Sequence, residues 1–292
     1  MIILGMPSLN DAVKITRFES AADFLQASED LRGRDPFRTN LIGSVALSVA
    51  NGTRKYDQTF WWTIADSQGI VQSIAMRTAP HNLTLTPMSL AQAARLAEVV
   101  AEVDPDMPGV SGSAETVDFF VSRWNSLAGT QLALNSQELI YNLPSLKIFY
   151  VNGELRPATS SDLPLIIEWT KNFAIDTGLE MPQLESSVQN SIEEGRSYLW
   201  IYNGMPVSLA GHAPLVQTPT GTVGRIGPVY TPPEFRQRGF AGSITSALSE
   251  KLIRQGIFVM LYTAAENETS NGVYKRLGFQ LLDQNNSYLV IR

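Results

Sequence analysis

The chain has 292 residues, of which 44 % are hydrophobic and 17 % charged, a globular rather than a disordered composition. Its 22 Lys and Arg stand against 28 Asp and Glu, and the formal net charge of −6 disfavours nonspecific nucleic-acid binding, which needs excess cation to neutralise phosphates. No cysteine is present and His81 and His212 are the only histidines, which excludes a disulfide scaffold, a thiolate metal site and a cysteine nucleophile and argues against a multi-histidine metal site. No metal is expected. At about 150 residues per domain, the length suggests two domains. The apolar stretch 41–50 falls far short of the ~20 residues that span a bilayer. Residues 1–7 carry no basic segment and are too short for a signal peptide, so a cytoplasmic protein without a membrane partner is expected.

In chain order, 13–18 reads as a strand, followed by helical stretches near 21–31 and 36–49. Residues 59–64 and 70–76 form a hairpin pattern around Asp66-Ser67-Gln68-Gly69. Trp61 and Trp62 are adjacent on one strand of it, so they face opposite sides and read as core and surface aromatics rather than a ligand cage. A strand at 82–86 ends at Pro87, Ser89 caps a helix through 103, a short apolar link follows, and 114–127 is a further helix. Residues 131–134 and 138–143 read as closing strands.

The order then repeats. A strand near 154–156 runs into Pro157, and Ser160-Ser161-Asp162 supplies capping residues for a helix with Leu163, Ile166, Ile167 and Thr170 on one face. A second helix covers 184–194. Strands at 197–202 and 207–212 flank the turn Asn203-Gly204, and a third strand covers 222–231. A helix starts near Phe240 with Ile244, Ala247, Leu248 and Leu252 on one face and stops at Gly256. Residues 257–262 are a buried strand, 269–277 a helix, and 279–282 and 288–291 two strands around Gln284-Asn285-Asn286. The fold class is therefore α/β (α+β): a tandem repeat, each copy a mixed central sheet flanked by helices, divided as 1–145 and 146–292.

Chemistry concentrates in the second copy. In Val229-Tyr230-Thr231-Pro232-Pro233-Glu234-Phe235-Arg236-Gln237-Arg238-Gly239-Phe240-Ala241-Gly242, a strand ends, a basic and glycine-rich turn follows, and a helix begins. Free N–H groups and the helix dipole then favour a phosphate or pyrophosphate, Gly239, Ala241 and Gly242 leave the main chain bare, and Arg236 and Arg238 add charge. Further on, Asn267-Glu268-Thr269-Ser270-Asn271-Gly272-Val273-Tyr274-Lys275-Arg276-Leu277-Gly278-Phe279 puts Ser270 and Tyr274 on one helical face.

Together these stretches resemble the GNAT superfamily of acyl-coenzyme A-dependent N-acetyltransferases. Arg236, Gly239 and Ala241 fill that family's pyrophosphate-loop pattern, and Asn267, Ser270, Tyr274, Gly278 and Phe279 fill its later motif. Leu155-Arg156-Pro157-Ala158 and Ser161-Asp162-Leu163 are similar to its opening strand and helix. The resemblance covers residues 150–292 and implies acetyl-coenzyme A, or another acyl-coenzyme A, as donor. It implies main-chain contacts to the pantetheine arm from Val229, Tyr230 and Thr231, and a pyrophosphate held by Gln237, Arg238, Gly239, Phe240, Ala241 and Gly242. Asn267 and Ser270 face the cofactor arm, and Tyr274 is the general acid for the departing thiolate. An amine acceptor attacks the thioester directly, so a base or water relay is needed. His212 and Glu168 are the candidates, with Glu266 and Glu180 behind them. For His212 a strand-end histidine bonded to backbone is the competing reading. Acidic residues between 154 and 194 favour a cationic acceptor, against the alternative of solvated helix faces.

The first copy lacks this equipment. Its turn reads Leu85-Thr86-Pro87-Met88-Ser89-Leu90-Ala91, without glycine or arginine, and no tyrosine lies between Tyr56 and Tyr141. It reads as a degenerate copy, with Met76-Arg77-Thr78-Ala79-Pro80-His81-Asn82-Leu83 resembling a segment of two-domain bacterial predicted acetyltransferases. The expected activity is acetyl transfer from acetyl-coenzyme A to a primary amine of a small molecule or peptide. The alternatives are a longer acyl donor, or a non-catalytic coenzyme A-binding sensor or scaffold.

Overall fold

The computed structural model describes residues 13–127, 129–179, 181 and 183–291. The N-terminal segment 1–7 and Glu180 lie outside the described residues. In chain order the elements are β1 (Lys14–Phe18), α1 (Ala21–Ala27), α2 (Glu29–Arg34), α3 (Asn40–Ala50), β2 (Thr59–Ala65), β3 (Val71–Thr78), β4 (Leu83–Leu85), α4 (Leu90–Val103), β5 (Gly109–Ser113), α5 (Ala114–Leu127) and β6 (Leu132–Asn142). There follow β7 (Glu154–Pro157), α6 (Leu163–Thr177), α7 (Leu184–Glu193), β8 (Ser197–Tyr202), β9 (Met205–His212), β10 (Val216–Thr218), β11 (Gly221–Tyr230), α8 (Phe240–Arg254), β12 (Ile257–Ala264), α9 (Glu268–Arg276) and β13 (Gln280–Val290). Among the described residues no helix is long and apolar enough to cross a membrane.

Two compact units result, one of residues 13–138, 218–220 and 283–291, the other of 139–217 and 221–282. Residues 283–291, which the sequence order groups with the second half, pack with the first. The reason lies in β13. The sequence pattern predicts two strands around Gln284-Asn285-Asn286, but β13 is one strand, and Asn285 and Asn286 pair with Ser113 and Gly112 of β5. A polar run that reads as a turn is held in a sheet because its side chains find partners. Asn286 Nδ2 donates to Asp118 at 2.8 Å, and Gln137 Nε2 donates to Asn286 Oδ1 at 2.9 Å. The predicted closing pair at 131–134 and 138–143 is likewise one strand, β6.

In the first unit the strand order is β1-β2-β3-β4-β5-β13-β6. Its sheet is covered on both faces. Trp62, Phe60 and Ile64 pack with Leu96 and Val100 of α4 and Phe120 and Trp124 of α5. Trp61, Ile74 and Met76 pack with Phe24 of α1 and Ile42 and Ala46 of α3. Both tryptophans are thus fully buried, which corrects the reading of one as a surface residue. The helix expected over 21–31 breaks at Ser28, whose hydroxyl donates back to Phe24 O at 2.8 Å.

The parallel strands β4 and β5 stay paired from Leu83↔Val110 to Leu85↔Gly112. A Cβ on Gly112 (φ +150) would lie 2.3 Å from Leu85 O. Gly112→Ala is therefore expected to cost about 2–4 kcal/mol in urea unfolding; an unchanged midpoint would contradict this contact.

The second unit has the order β13-β6-β12-β11-β9-β8-β7. One face packs Tyr198, Val207, Ile226, Val259 and Leu261 against Ile244 and Leu248 of α8 and Tyr274 of α9. The other packs Leu199, Leu209 and Tyr230 against Ile166 and Trp169 of α6 and Val188 of α7. Strand alternation thus sends the neighbours Tyr198 and Leu199 of β8, and Val229 and Tyr230 of β11, to opposite cores. The chain enters α6 through Asp162, which accepts from Arg156 Nη1 and Nη2 at 2.9 and 2.8 Å and from Thr159 N at 2.8 Å. These charge-assisted bonds hold the Asp162 carboxyl well below the usual carboxylate range.

Candidate active site

Two parallel strands in the second unit part where the first unit's remain together. β11 pairs with β12 from Thr222↔Ile257 to Ile226↔Leu261. β11 then runs on to Tyr230 with β9 as partner, through a bulge between Ile226 and Val229, while β12 runs on to Ala264. Pro228 has no N–H to give a ladder, and the bulge accommodates it.

The main chain at the end of β11 is sorted by direction. Ser208 Oγ on β9 donates to Tyr230 O at 3.0 Å, so Tyr230 turns its backbone groups toward β9. Successive residues of a strand turn theirs to opposite sides, so Val229 faces the gap beside β12. Of the three residues expected to meet a pantetheine arm, Tyr230 is committed to β9, and its ring lies 6.3 Å from Trp169.

Beyond β11 the chain turns through Gln237 (φ 62) and Gly239 (φ 82) into α8. Gly239 caps α8 without a side-chain acceptor, so the first N–H groups of the helix lack both intrahelical and cap partners. The turn is braced by Arg236, whose Nε donates to Thr231 O at 2.9 Å and whose Nη2 meets Asp176 Oδ2 at 2.6 Å. Arg236 thus positions the loop and is not a free charge. Arg238 is exposed, its guanidinium 5.4 Å from the Tyr202 ring centroid and 5.0 Å from that of Phe240.

The glycines of the turn are not bare, which corrects the sequence reading. A Cβ on Gly239 would lie 2.8 Å from Val151 Cγ1, and one on Gly242 would lie 3.2 Å from Phe149 Cδ1. They make room for the segment leading to β7. Nothing in the residue types of 147–151 signals this contact.

Tyr274 is buried on α9, its ring centroid 5.8 Å from that of Phe279. Burial pushes its hydroxyl up to about 12. It shares an apolar cluster with Phe240, Leu261 and Val229, and the preceding residue, Val273, lies 3.6 Å from a Cβ placed on Gly242. The ends of β11, α8 and α9 are thereby brought together. Asn267 caps α9, its Oδ1 accepting from Ser270 N at 3.0 Å. Asn271, which the sequence reading passed over, is buried and donates to Ala264 O and Ala265 O at 3.1 and 3.2 Å, pinning the end of β12.

The base candidates separate. His212 pairs with Ile226, stacks 6.5 Å from Tyr198, and lies beside Lys251 in the last turn of α8. Eleven residues of helix put Lys251 roughly 16 Å from Phe240 at 1.5 Å per residue. Burial lowers the His212 pKa, and Nδ1 lies 2.8 Å from Ala213 O, as the backbone-bonded reading has it. Glu168 is exposed on α6 next to Trp169, and Glu266 is exposed before α9.

The corresponding turn of the first unit is closed by its own side chains. Ser89 and Gln92 form a reciprocal capping box on α4, Met88 N donates to Thr116 Oγ1 at 3.1 Å, and Thr86 N donates to Ile74 O at 3.1 Å. Pro87 has no N–H to offer. Among the described residues no group of three or more His, Cys, Asp or Glu could hold a metal ion.

Residues 201–289 match the model of the FR47-like protein family. Comparison with curated proteins finds no match. Solved structures share the fold over nearly the whole chain. A GNAT-family acetyltransferase from Colwellia psychrerythraea is 13 % identical, over 96 % of this chain and 100 % of that one, with a TM-score of 0.61. A GCN5-related N-acetyltransferase from Sphaerobacter thermophilus is 15 % identical, over 97 % and 96 %, with a TM-score of 0.61. A tandem GNAT protein from the clavulanic acid biosynthesis pathway is 10 % identical, over 94 % and 97 %, with a TM-score of 0.52. The chain has the GNAT fold.

Proposed function

From the GNAT fold of this chain, we propose that it is an acyltransferase whose second unit moves an acetyl group from acetyl-coenzyme A to a primary amine. The observation that carries this reading is the parting of β11 from β12 beyond Ile226↔Leu261, directly before the uncapped N-terminus of α8. The parted strands fit a narrow amide-bearing arm, and the helix end fits a pyrophosphate.

Val229 pairs with the arm through its main chain, Thr231 can add only its N–H because its carbonyl accepts from Arg236, and the N–H groups from Arg238 to Gly242 hold the pyrophosphate. Arg236 keeps the loop in register through Thr231 and Asp176. The Val229 N–H polarises the thioester carbonyl, and Tyr274 donates to the departing sulfur. His212 is buried beside Ile226, away from the helix end, and Glu168 is exposed on α6, so the amine proton leaves to water or to a base carried by the acceptor side. The first unit, where Thr116, Gln92 and Ser89 take the N–H groups of Met88, Ser89 and Gln92 and Pro87 has none, binds no acyl donor of its own.

Titration of acetyl-coenzyme A into the full chain, followed by calorimetry, tests the reading. One saturable site per chain is expected. Two sites would defeat the inert first unit, and none up to millimolar concentration would defeat the cofactor site. Turnover on an amine panel can be followed by thiol release without background, because the chain has no cysteine. Binding without turnover on any amine would favour a coenzyme A sensor.

A further inference from the structure

The segment 147–151 lies along α8 as a fixed strap. Lys147 N donates to Leu277 O at 2.8 Å, Phe149 N to Ser246 Oγ at 3.1 Å, and Val151 N to Ser243 Oγ at 2.8 Å. Tyr150 is held on the other side, its hydroxyl 2.5 Å from Glu250 Oε2 and its ring stacked 6.2 Å from Trp200. The backbone is thus pinned on both sides of Phe149. The Phe149 ring covers the first turn of α8, within 3.4 Å of Cβ positions built on both Gly239 and Gly242, yet Phe149 remains 45 % exposed.

We propose that this exposed ring is the surface on which the adenine of the coenzyme A donor stacks. The inference rests on the cofactor reading above. The arm enters the gap between β11 and β12, on the sheet side of α8. The pyrophosphate sits at the helix end, so the adenosine at its other end leaves away from the sheet. α8 buries Ile244, Leu248 and Leu252 toward the sheet, and Gly239, Gly242, Ser243 and Ser246 lie under the strap. Phe149 is an exposed aromatic over this first turn of α8. A purine stacks on an aromatic face without needing a specific hydrogen-bond pattern, and a pre-ordered ring loses little freedom in doing so.

Calorimetry on the full chain with coenzyme A and with phosphopantetheine, which lacks the adenosine, separates the roles. Phe149→Leu keeps an apolar side chain over the two glycines but removes the π face. It is expected to weaken coenzyme A about tenfold while leaving phosphopantetheine unchanged, and Phe149→Trp is expected to retain coenzyme A affinity. In the unaltered protein, adenosine diphosphate is expected to compete with coenzyme A, a measurement that stands even if the leucine variant fails to fold. Unchanged coenzyme A affinity in Phe149→Leu, equal loss of both ligands, or no competition by adenosine diphosphate overturns the proposal. If the unaltered protein binds neither coenzyme A nor phosphopantetheine, the cofactor reading itself falls, and this inference with it.

Discussion

Tyr274→Phe is expected to lower kcat by about 10²–10³ while changing coenzyme A affinity less than twofold. The variant removes one oxygen from a ring that stays packed on Phe279, so the fold and the cofactor contacts persist. Burial pushes the Tyr274 hydroxyl up to about 12, so it stays protonated through the neutral and mildly alkaline range. A donor of that pKa is a weaker acid than a thiol near 8.5. Its contribution is therefore a hydrogen bond to sulfur as negative charge develops, strongest in the transition state. The active, protonated form of Tyr274 persists from pH 6 to 10 and imposes no falling limb there. A rise in activity with pH over that range belongs to deprotonation of the acceptor amine, and Tyr274→Phe should keep its shape at a lower level. Unaltered kcat in this variant would remove Tyr274 from the chemistry.

Ala241→Glu is expected to weaken coenzyme A at least 100-fold. The residue lies in the first turn of α8, where a carboxylate is favourable to the helix dipole by about 0.3–1 kcal/mol, so the helix survives. The same carboxylate stands against the pyrophosphate and repels it at close range. Gly239→Glu is a poorer test, because its Cβ would press on Val151 at 2.8 Å and its φ of +82 strains any side chain. Thermal unfolding of Ala241→Glu should be unchanged or slightly raised. Retained affinity would put the anion elsewhere.

Local features were legible where chemistry and periodicity agree. The Ser89 cap, the helix over 114–127 and the hairpin at Asn203-Gly204 follow from short-range rules. The turn into α8 was legible as a helix start because glycine and the apolar spacing after it mark one. Long-range pairing was hidden. Gln284, Asn285 and Asn286 read as a turn until Asp118 and Gln137, far away in sequence, satisfy Asn286. β5, with two glycines in five residues, carries little strand propensity and is held by its pairing with β4 and β13. In the candidate site, residue types suggested which groups are basic or bare but not what occupies them. Arg236 is engaged by Asp176, the Tyr230 carbonyl by Ser208, and the glycines by Phe149 and Val151. Each partner lies on another element, and no local spacing encodes it.

The assignment of residues 283–291 to the first unit bears on the timing of synthesis. Asn285 to Leu289 pair with Ser113 to Gly109, across more than 170 positions of chain. A ribosome releases β1 to β5 long before β13 and translates all of 139–282 in between. The first unit therefore waits with the edge of β5 open, and its sheet closes only after the body of the second unit has emerged. During that interval the open edge of β5 presents unpaired N–H and C=O groups, a template on which a strand of another nascent copy could pair before β13 arrives.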